Sequence, residues 1–442
     1  MDLQQFYRGQ AYDIYEFLGC HLTKEGAVFR VFAPSAASID VTGDFNDWKE
    51  TPMKRIYDGN FWECSISGVR EGMMYKYKIH RKDGLVIDHC DPYGFGMELR
   101  PKWASIVRDL KKYKFRDHKW MKNRTDCKSQ PLNIYEVHLG SWKMHENDEN
   151  GWYIYPEIAK KMIPYLKEKG YTHIEVLPLA EHPSDNSWGY QCTGFYSPTS
   201  RYGTVNDLKE MIDLFHQNDI GVILDFVPVH FAVDGYALAE FDGTALYEYP
   251  NKEVGYSEWG SKNFMHSRGE VQSFLQSSAM YWIKEYHFDG IRIDALSNII
   301  YWHGNKGRGV NNNAVEFIKH MNRQLKWQFP DIMLIAEDST AFQGITKNVE
   351  QGGLGFDYKW DMGWMNDTLD YFRSSSEERK RDYHKLTFSM MYYYDENFLL
   401  PLSHDEVVHG KATILQKMNG DYEEKFPQAR ALYICMLIPE RN

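Results

Sequence analysis

The chain has 442 residues, a formal net charge of -11 at pH 7, and contents of 43% hydrophobic and 26% charged residues. This length is too great for one ordinary domain and sufficient for a barrel with a smaller module. The composition is typical of a soluble globular protein, and the acidic excess argues against nucleic acid or an anionic membrane as a partner. No segment approaches the roughly 18 apolar residues that a membrane-spanning helix needs.

The cysteine and aromatic contents narrow the class further. The cysteines show no short spacing, which argues against a disulfide framework or a zinc site and predicts a reducing, cytoplasmic compartment. The first 20 residues have no cationic start followed by an apolar run, so no secretory signal is expected. The 13 Trp and 31 Tyr residues suit either stacking on sugars or an aromatic-rich core. The six cysteines are Cys20, Cys64, Cys90, Cys127, Cys192 and Cys435.

The first part of the chain, residues 1–115, has the pattern of an all-β domain. Short β-prone runs occur at residues 27–32, 38–42, 61–66 and 73–80, with glycines between them. Short strands at this spacing predict an immunoglobulin-like sandwich. The basic and polar residues 111–123 lack strong periodicity and are predicted to form a linker at the end of this domain.

The rest of the chain, residues 116–442, alternates short apolar runs with helical periodicity, as at residues 158–169 and 208–218. Such alternation predicts a parallel sheet with helical crossovers. The runs lie at residues 133–138, 173–177, 221–225, 290–294, 332–337 and 398–405, with a weaker one at 355–360.

Nearly every apolar run ends in a carboxylate or a histidine, as expected at the C-terminal mouth of a (β/α)8 TIM barrel. A doubly wound sheet also gathers polar groups there, but the glycine-rich phosphate turn that it normally carries is absent from the sequence. Seven such strands are predicted, and the last segment, residues 428–438, is predicted to be an amphipathic helix with Ala429, Leu432, Tyr433 and Met436 in phase. The prediction is therefore an α/β barrel that lacks its eighth strand.

Two strand ends carry the residues for the proposed chemistry. In the run 290–294 the alternation of a strand places Arg292 and Asp294 on one face, where the guanidinium keeps the carboxylate ionised, as a nucleophile requires. Glu337 ends the next run after four apolar residues, and an apolar surround favours the protonated carboxyl of a general acid. Adjacent strands lie roughly 4.8 Å apart, so the two carboxyl groups are expected near the roughly 5 Å separation of retaining glycosidases.

Other polar residues follow neighbouring strands. His404 and Asp405 end the seventh run, where the third carboxylate is predicted to hold sugar hydroxyls and to help keep Glu337 protonated. Asp225 and His230 flank residues 226–229 just after the third run, and these two are predicted either to bind sugar hydroxyls or to organise the loop. Tyr190 lies in the ring-rich loop 187–204 and is our choice for stacking under the sugar whose bond breaks. His404 and His409 are five residues apart, which misses the four-residue spacing of a helical zinc site, so no metal is expected.

Four short motifs, in their order along the chain, resemble the four motifs of the alpha-amylase superfamily. They lie at residues 225–230, 290–294, 335–337 and 403–405. Their flanks, at residues 135–142, 188–191, 199–204 and 405–411, are similar to those of 1,4-alpha-glucan branching enzymes. Residues 20–107, with the Gly-Asp-Phe-Asn-Asp-Trp run at 43–48, resemble the glycan-binding β-sandwich that precedes such barrels. The chain departs from the family at three residues of these motifs, with Asp338 for the usual Glu and with Phe342 and Phe226 each for the usual Trp.

The resemblance implies an enzyme that cuts an alpha-1,4 bond, holds the chain covalently, and passes it to a 6-hydroxyl of glycogen or amylose. It implies no cofactor, and a monomer is expected. Two alternatives stay open: a related debranching or trehalose-releasing hydrolase, and a glycan-binding fragment without activity, since the family continues through an eighth strand and a C-terminal β domain. By the resemblance the nucleophile is Asp294, the acid/base Glu337 and the transition-state stabiliser Asp405, and the cleavage subsite is lined by Tyr190, Asp225, His230, Arg292 and His404.

Overall fold

The computed structural model describes residues 1–124, 127–146, 150–408 and 410–437, and it describes only the backbone of Cys127. The chain forms two compact units, Met1–Met333 and Leu334–Asn442. Ile438, the last residue of the predicted terminal helix, and His409 lie outside the described residues. The domain boundary predicted after residue 115 stays a prediction.

The N-terminal part of the first unit is an antiparallel β-sandwich, as predicted. One sheet has the strand order β1-β2-β6-β5, and the other has the order β4-β3-β7-β8 with β9 also paired to β7. Along β7 buried and half-buried residues alternate, because successive side chains point to opposite faces. The rings of Phe29 and Tyr75, one from each sheet, pack 5.0 Å apart in the core. The strands are β1 Gly19–Leu22, β2 Gly26–Phe32, β3 Ser38–Gly43, β4 Thr51–Pro52, β5 Lys54–Ile56, β6 Phe61–Ser67, β7 Met74–His80, β8 Val86–His89 and β9 Ser105–Ile106.

The rest of the first unit contains four parallel strands and their helices. The strands β10, β11, β14 and β17 lie side by side in that order, and two short hairpins, β12–β13 and β15–β16, follow β11 and β14. The strands are β10 Ile134–Val137, β11 His173–Val176, β12 Ala180–Glu181, β13 Gly194–Pro198, β14 Gly221–Phe226, β15 His230–Phe231, β16 Lys262–Asn263 and β17 Gly290–Ile293. The helices are α1 Leu3–Tyr7, α2 His118–Asn123, α3 Leu139–Trp142, α4 Tyr155–Lys169, α5 Val205–His216, α6 Lys252–Gly255, α7 Gly269–Tyr286, α8 Leu296–Ile300 and α9 Asn312–Gln328.

Helix α5 shows why the sequence folds in this way locally. Thr204 accepts a hydrogen bond from the Asp207 backbone N–H, and the Asp207 carboxylate accepts one from the Thr204 N–H, so the two residues cap the helix reciprocally. Leu208, Met211 and Phe215 recur at three- and four-residue intervals and are all buried. The helix predicted at residues 208–218 is therefore confirmed, but it starts directly after the cap, at Val205, and ends at His216.

The β-sandwich is hydrogen-bonded to a loop of the first unit. The Nδ1–H of His89 donates a hydrogen bond to the Ala237 carbonyl at 3.0 Å, and the Ser35 backbone N–H donates to Asp242 at 2.8 Å. Ala237 and Asp242 belong to the loop of residues 232–248, which follows β15. The sandwich is therefore packed directly on this loop.

The residues predicted as a linker are also anchored. Asp117, just before α2, contacts His216 at 2.9 Å and His287 at 2.7 Å through its carboxylate. The other ring nitrogen of His216 contacts Asp289 at 2.9 Å. Because His216 ends α5 and Asp289 precedes β17, this buried cluster joins the linker to the N-terminal side of the sheet.

The second unit contains the remaining parallel strands, in the order β18-β19-β20. Met365, Leu369, Phe372 and Leu432 form its core. The predicted terminal helix is present as α14, with Ala429 and Leu432 buried, but Tyr433 is 47% exposed, so the predicted phase was wrong at that residue. The elements are β18 Met333–Ala336, β19 Tyr358–Trp360, β20 Phe398–Leu399, α10 Met362–Arg373, α11 Ser376–Asp382, α12 His384–Thr387, α13 Ile414–Lys417 and α14 Tyr422–Leu437.

The seven predicted apolar runs correspond one to one to β10, β11, β14, β17, β18, β19 and β20 in the part of the chain that the structure describes. Each of these strands pairs in parallel with a neighbour, so the predicted parallel arrangement is confirmed. None of the helices in the described ranges is long and apolar enough to cross a membrane.

Candidate active site

A buried arginine connects two carboxylates at the C-terminal ends of neighbouring strands. Arg292 on β17 lies opposite Asp225 on β14 in the strand register. Its Nη1 donates to both carboxylate oxygens of Asp225, each at 2.8 Å, and to Oδ1 of Asp294 at 2.9 Å. The Tyr190 hydroxyl donates to Asp225 at 2.6 Å. The structure thus brings four of the predicted site residues of the first unit into one hydrogen-bonded chain.

The positive charge of Arg292 favours the ionised form of the two carboxylates that it contacts. The Arg292 side chain has no solvent exposure, so its attraction for Asp225 and Asp294 is weakly screened. Burial, and then the charge of Asp225, raises the pKa of Tyr190 well above its usual value. Tyr190 therefore remains a phenol that donates to Asp225, and Asp294 is left with a neighbouring cation and a partly exposed carboxylate.

His230 lies on β15, four residues after the end of β14, and is buried. Burial lowers the pKa of His230 to about 4, so the imidazole is neutral at pH 7. Its Nδ1 has no hydrogen-bond partner within the described ranges. The ring lies 5.3 Å from the ring of Trp259. A neutral ring with an unused nitrogen can donate to or accept from a sugar hydroxyl.

In the second unit, Glu337 directly follows β18 and is half-buried. The next residue, Asp338, is buried and accepts a hydrogen bond from Lys359 at 2.8 Å and one from the Thr340 hydroxyl at 3.0 Å. Lys359 also donates to the Thr340 carbonyl at 2.7 Å. These bonds fix the backbone immediately after Glu337, which limits the orientations available to its carboxyl group.

The other two site residues of the second unit lie just after β20. His404 and Asp405 begin a single helical turn, which Ser403 caps by accepting a hydrogen bond from the Asp405 backbone N–H at 3.2 Å. His404 Nε2 lies 3.4 Å from the Asp405 carboxylate. The Asp405 side chain is about half exposed, whereas the His404 side chain is largely buried. The separation of about 5 Å expected for Asp294 and Glu337 stays a prediction.

Potential metal ligands come together on the sandwich in the described part of the chain, where Asp40, Glu50 and His80 have ligating atoms within 4.8 Å of one another. His80 contacts Asp40 at 2.9 Å, and Lys78 donates to Glu50 at 2.8 Å. An ammonium group therefore already neutralises part of this cluster. The histidine pair weighed as a zinc motif includes His409, which lies outside the described residues.

Comparisons with known proteins agree with this architecture. Residues 17–94 match the family model of carbohydrate-binding module 48, the isoamylase N-terminal domain. Residues 156–259 match the alpha amylase catalytic domain. A 1,4-alpha-glucan branching enzyme GlgB of Fusobacterium nucleatum subsp. nucleatum is 49% identical over 436 residues, which are 98% of this chain and 71% of that protein. The chain belongs to the 1,4-alpha-glucan branching enzyme family.

Other members of the branching enzyme family match equally far along the chain. The GlgB of Bacillus subtilis is 46% identical over 99% of this chain and 71% of its own length. Among solved structures, an alpha amylase of Salmonella typhimurium, itself described as putative, aligns with a TM-score of 0.63 and 24% identity over 81% of this chain and 56% of that one. A pullulanase of Bacillus acidopullulyticus aligns with a TM-score of 0.64 and 22% identity over 79% and 46% of the two chains. These two matches show the fold alone.

The family assignment confirms the resemblance drawn from the motifs, and the sandwich and barrel-type fold expected for a branching enzyme are confirmed with it. Two features of the site were not predicted from the sequence. Asp338 was expected only as a departure from the family, and its contact with Lys359, which lies in the weakest predicted run, was not expected. Trp259 was not predicted as a site residue, because the segment between the third and fourth barrel strands has no clear periodicity.

Proposed function

We propose that this branching enzyme family member cleaves an alpha-1,4 bond of a glucan and transfers the released chain to a 6-hydroxyl, forming an alpha-1,6 branch. The observation that carries the proposal is the buried Arg292 between Asp225 and Asp294 at the ends of adjacent parallel strands. It supplies an ionised, oriented carboxylate of the kind that a retaining glycosidase mechanism uses as its nucleophile.

In the first half of the proposed reaction, Asp294 attacks the anomeric carbon while Glu337 gives its proton to the leaving glycosidic oxygen. The bond to the leaving sugar breaks as the bond from Asp294 forms, and the new chain end departs. The Asp294 backbone N–H donates to the Phe226 carbonyl at 3.0 Å, and Arg292 holds one carboxylate oxygen. These two bonds orient the Asp294 carboxylate for the attack.

In the second half, Glu337 takes a proton from the 6-hydroxyl of an acceptor glucan, and that oxygen displaces Asp294 from the anomeric carbon. Two inversions give net retention at that carbon. We assign Asp405 to stabilising the positive charge of the transition state. Tyr190 stacks under the reacting sugar, and hydroxyls of that sugar bind the side chains of Asp225, His230 and His404.

We further propose a cytoplasmic, monomeric enzyme that acts on glycogen or amylose without nucleic acid or a membrane as a partner. Free thiols among the described residues support a reducing compartment. They are Cys20, Cys64, Cys90, Cys192 and Cys435. The matched carbohydrate-binding module supports an alpha-glucan as the substrate.

The proposed function is tested on amylose by two measurements together. Branching shortens the unbranched segments that bind iodine and so lowers the absorbance of the iodine complex, while the number of reducing ends stays constant. We expect Glu337→Gln to lower this activity by at least about a hundredfold, the lower end of what a general acid–base group contributes. Asp294→Asn removes the nucleophile and should lower the activity at least as much. Asp83→Asn, an exposed carboxylate on the sandwich, is the matched control and should retain full activity.

A rise in reducing ends would instead support the alternative of a related hydrolase. If the unaltered chain changes neither the iodine staining nor the number of reducing ends, only the alternative of a glycan-binding chain without activity remains. Full activity of Asp294→Asn would refute the assignment of the nucleophile.

A further inference from the structure

The turn after α6 presents an indole to solvent. Trp259 is 46% exposed, although the turn that carries it is closed by several bonds. Tyr256 and Lys262 form a β-bridge across its base. Inside the turn, the hydroxyls of Ser257 and Ser261 lie 2.6 Å apart, and the Trp259 backbone N–H donates to the Ser257 hydroxyl at 3.2 Å. A rigid turn that holds an aromatic ring outward loses little conformational entropy when a ligand covers the ring.

The Trp259 ring lies next to residues of the proposed site. Its centre lies 5.3 Å from the His230 ring, at an angle of 46°. Its backbone carbonyl accepts a hydrogen bond from the Gln191 side chain at 3.2 Å, and Gln191 directly follows Tyr190. Trp259 therefore contacts strand β15, which carries His230, and the loop that carries Tyr190, and both of these residues are proposed for the cleavage subsite.

The chemistry of the exposed ring suits a sugar. The hydrogen bonds of Trp259 within the described ranges run through its backbone N–H and carbonyl, so its indole N–H can donate to a sugar hydroxyl. The ring face offers apolar area for the C–H groups of a glucose unit. Single exposed aromatic residues are common on protein surfaces, but this one lies beside a buried, neutral imidazole that also has an unused nitrogen.

We propose that Trp259 is a binding platform for the glucose unit next to the one held at the cleavage subsite. The proposal rests on the proposed function for the placement of that subsite. It makes Trp259 a residue that determines how tightly the glucan is held beside the bond to be cut, through stacking on the ring face and a hydrogen bond from the indole N–H.

The test compares Trp259→Ala with Trp259→Tyr, which keeps a ring, and with Trp327→Ala. Trp327 is 76% exposed at the end of α9, which leads into the N-terminal end of the next strand and so lies away from the proposed site. Binding of maltoheptaose is measured by calorimetry, and KM and kcat for amylose are measured by the iodine assay. All variants are made with Trp48→Ala, because Trp48 is an exposed ring on the sandwich that can also hold glucan.

We expect Trp259→Ala to raise both the Kd for maltoheptaose and the KM for amylose by roughly tenfold. Trp259→Tyr should stay within about threefold and Trp327→Ala should match the reference, with one melting temperature for all. A Kd unchanged in Trp259→Ala, or a reference chain that does not bind maltoheptaose at all, would overturn the proposal. A chain that binds but does not branch would contradict the proposed function alone, since the Kd comparison would still decide the role of Trp259.

Discussion

Asp225 accepts hydrogen bonds from two different donors, a cation and a phenol. Arg292 contacts both of its oxygens, and Tyr190 contacts one of them at 2.6 Å. The phenol is therefore held by a carboxylate that Arg292 itself fixes in place. Because Arg292 also binds Asp294 at 2.9 Å, the position of the proposed stacking ring and that of the proposed nucleophile depend on the same guanidinium.

Removing the Tyr190 hydroxyl tests this arrangement. Tyr190→Phe keeps the ring and leaves Asp225 paired with Arg292, so we expect a loss of about 1–2 kcal/mol in the free energy of unfolding. Activity should fall by less than about tenfold, whereas Tyr190→Ala, which also removes the ring, should lose considerably more. Denaturant unfolding and the iodine assay measure the two effects. Equal losses of activity in both variants would show that the hydroxyl, and not the ring, carries the role of Tyr190.

The sequence predicted the proximity of Arg292 and Asp294 but not the full chain of contacts. Strand alternation is a local property, so it places these two residues on one face without further information. The contact between Arg292 and Asp225 depends on the register of β17 against β14, which are separated by 63 residues of loop and helix. The neutral state of His230 was equally hidden, because it follows from burial by elements distant in sequence.

At the scale of elements, the end of α5 is joined to the linker through a buried, charged histidine. His216 lies between Asp117 and Asp289, with both contacts at 2.9 Å. Burial alone would favour the neutral ring, but Asp289 and Asp117 outweigh it and raise the pKa of His216 to about 9. His287, Arg124 and Trp120 also face this cluster. The histidine is therefore an imidazolium in the folded protein at neutral pH.

This raised pKa predicts a decline in stability at alkaline pH. Between the unfolded pKa of about 6.5 and the folded value of about 9, the folded chain binds more protons than the unfolded one. The contribution is complete below about pH 6.5 and is lost as pH rises through about 9, with an upper limit of about 3 kcal/mol. Urea unfolding of the chain and of His216→Gln from pH 6 to pH 9.5 measures it. The variant should be less stable at pH 6.5 and should show a flatter slope; parallel curves would rule the mechanism out.

The anchoring of residues 111–123 was not predictable from the sequence, and their role as a linker stays a prediction. A run rich in Lys and Arg without periodicity gives no sign of buried contacts, and nothing in the sequence relates Asp117 to histidines that lie 99 and 170 residues further on. Tyr433 in α14 was misplaced for a related reason. Its spacing fits the apolar face of the helix, but only the packing partners of the second unit decide how wide the buried stripe becomes.

At the scale of the whole molecule, the second unit exposes more large apolar side chains for its length than the first unit does. Helices α11 and α12 and the turn after them contain no buried residue. Tyr383, Phe388 and Tyr394 of this region are all more than half exposed. A segment with few buried contacts opens at a small cost in free energy, because little apolar area is returned to water.

Limited proteolysis with chymotrypsin should therefore cut first at Tyr383, Phe388 or Tyr394. We expect an early fragment that ends near these residues, identified by mass spectrometry, while the aromatic residues of α7 stay protected because most of that helix is buried. Replacing the three aromatic residues with Ser should slow the first cut about tenfold or more, since the protease then has to reach less exposed sites. Early cleavage within the sandwich or α7 would contradict this view of the molecule.

The fold as a whole was more predictable than the details of the site. The seven parallel strands are short runs such as Ile223 and Leu224 of β14, buried on both faces, and a parallel sheet makes that pattern almost unavoidable. Their division between two compact units was not predictable, since it falls within β18, between Met333 and Leu334, where the sequence is continuously apolar. Compactness depends on contacts summed over distant residues.

The attachment of the sandwich to the loop of residues 232–248 has a consequence for protein engineering. Ser35 and His89 form hydrogen bonds with that loop, and the other ring nitrogen of His89 is buried without a partner among the residues that the structure describes. Exchanging the N-terminal module for one from another enzyme would remove these bonds from a loop that lies between His230 and Trp259 in the sequence. A chimera that takes both the module and the loop of residues 232–248 from the other enzyme should preserve catalysis. A chimera joined within the linker alone should fold with this loop displaced beside the substrate.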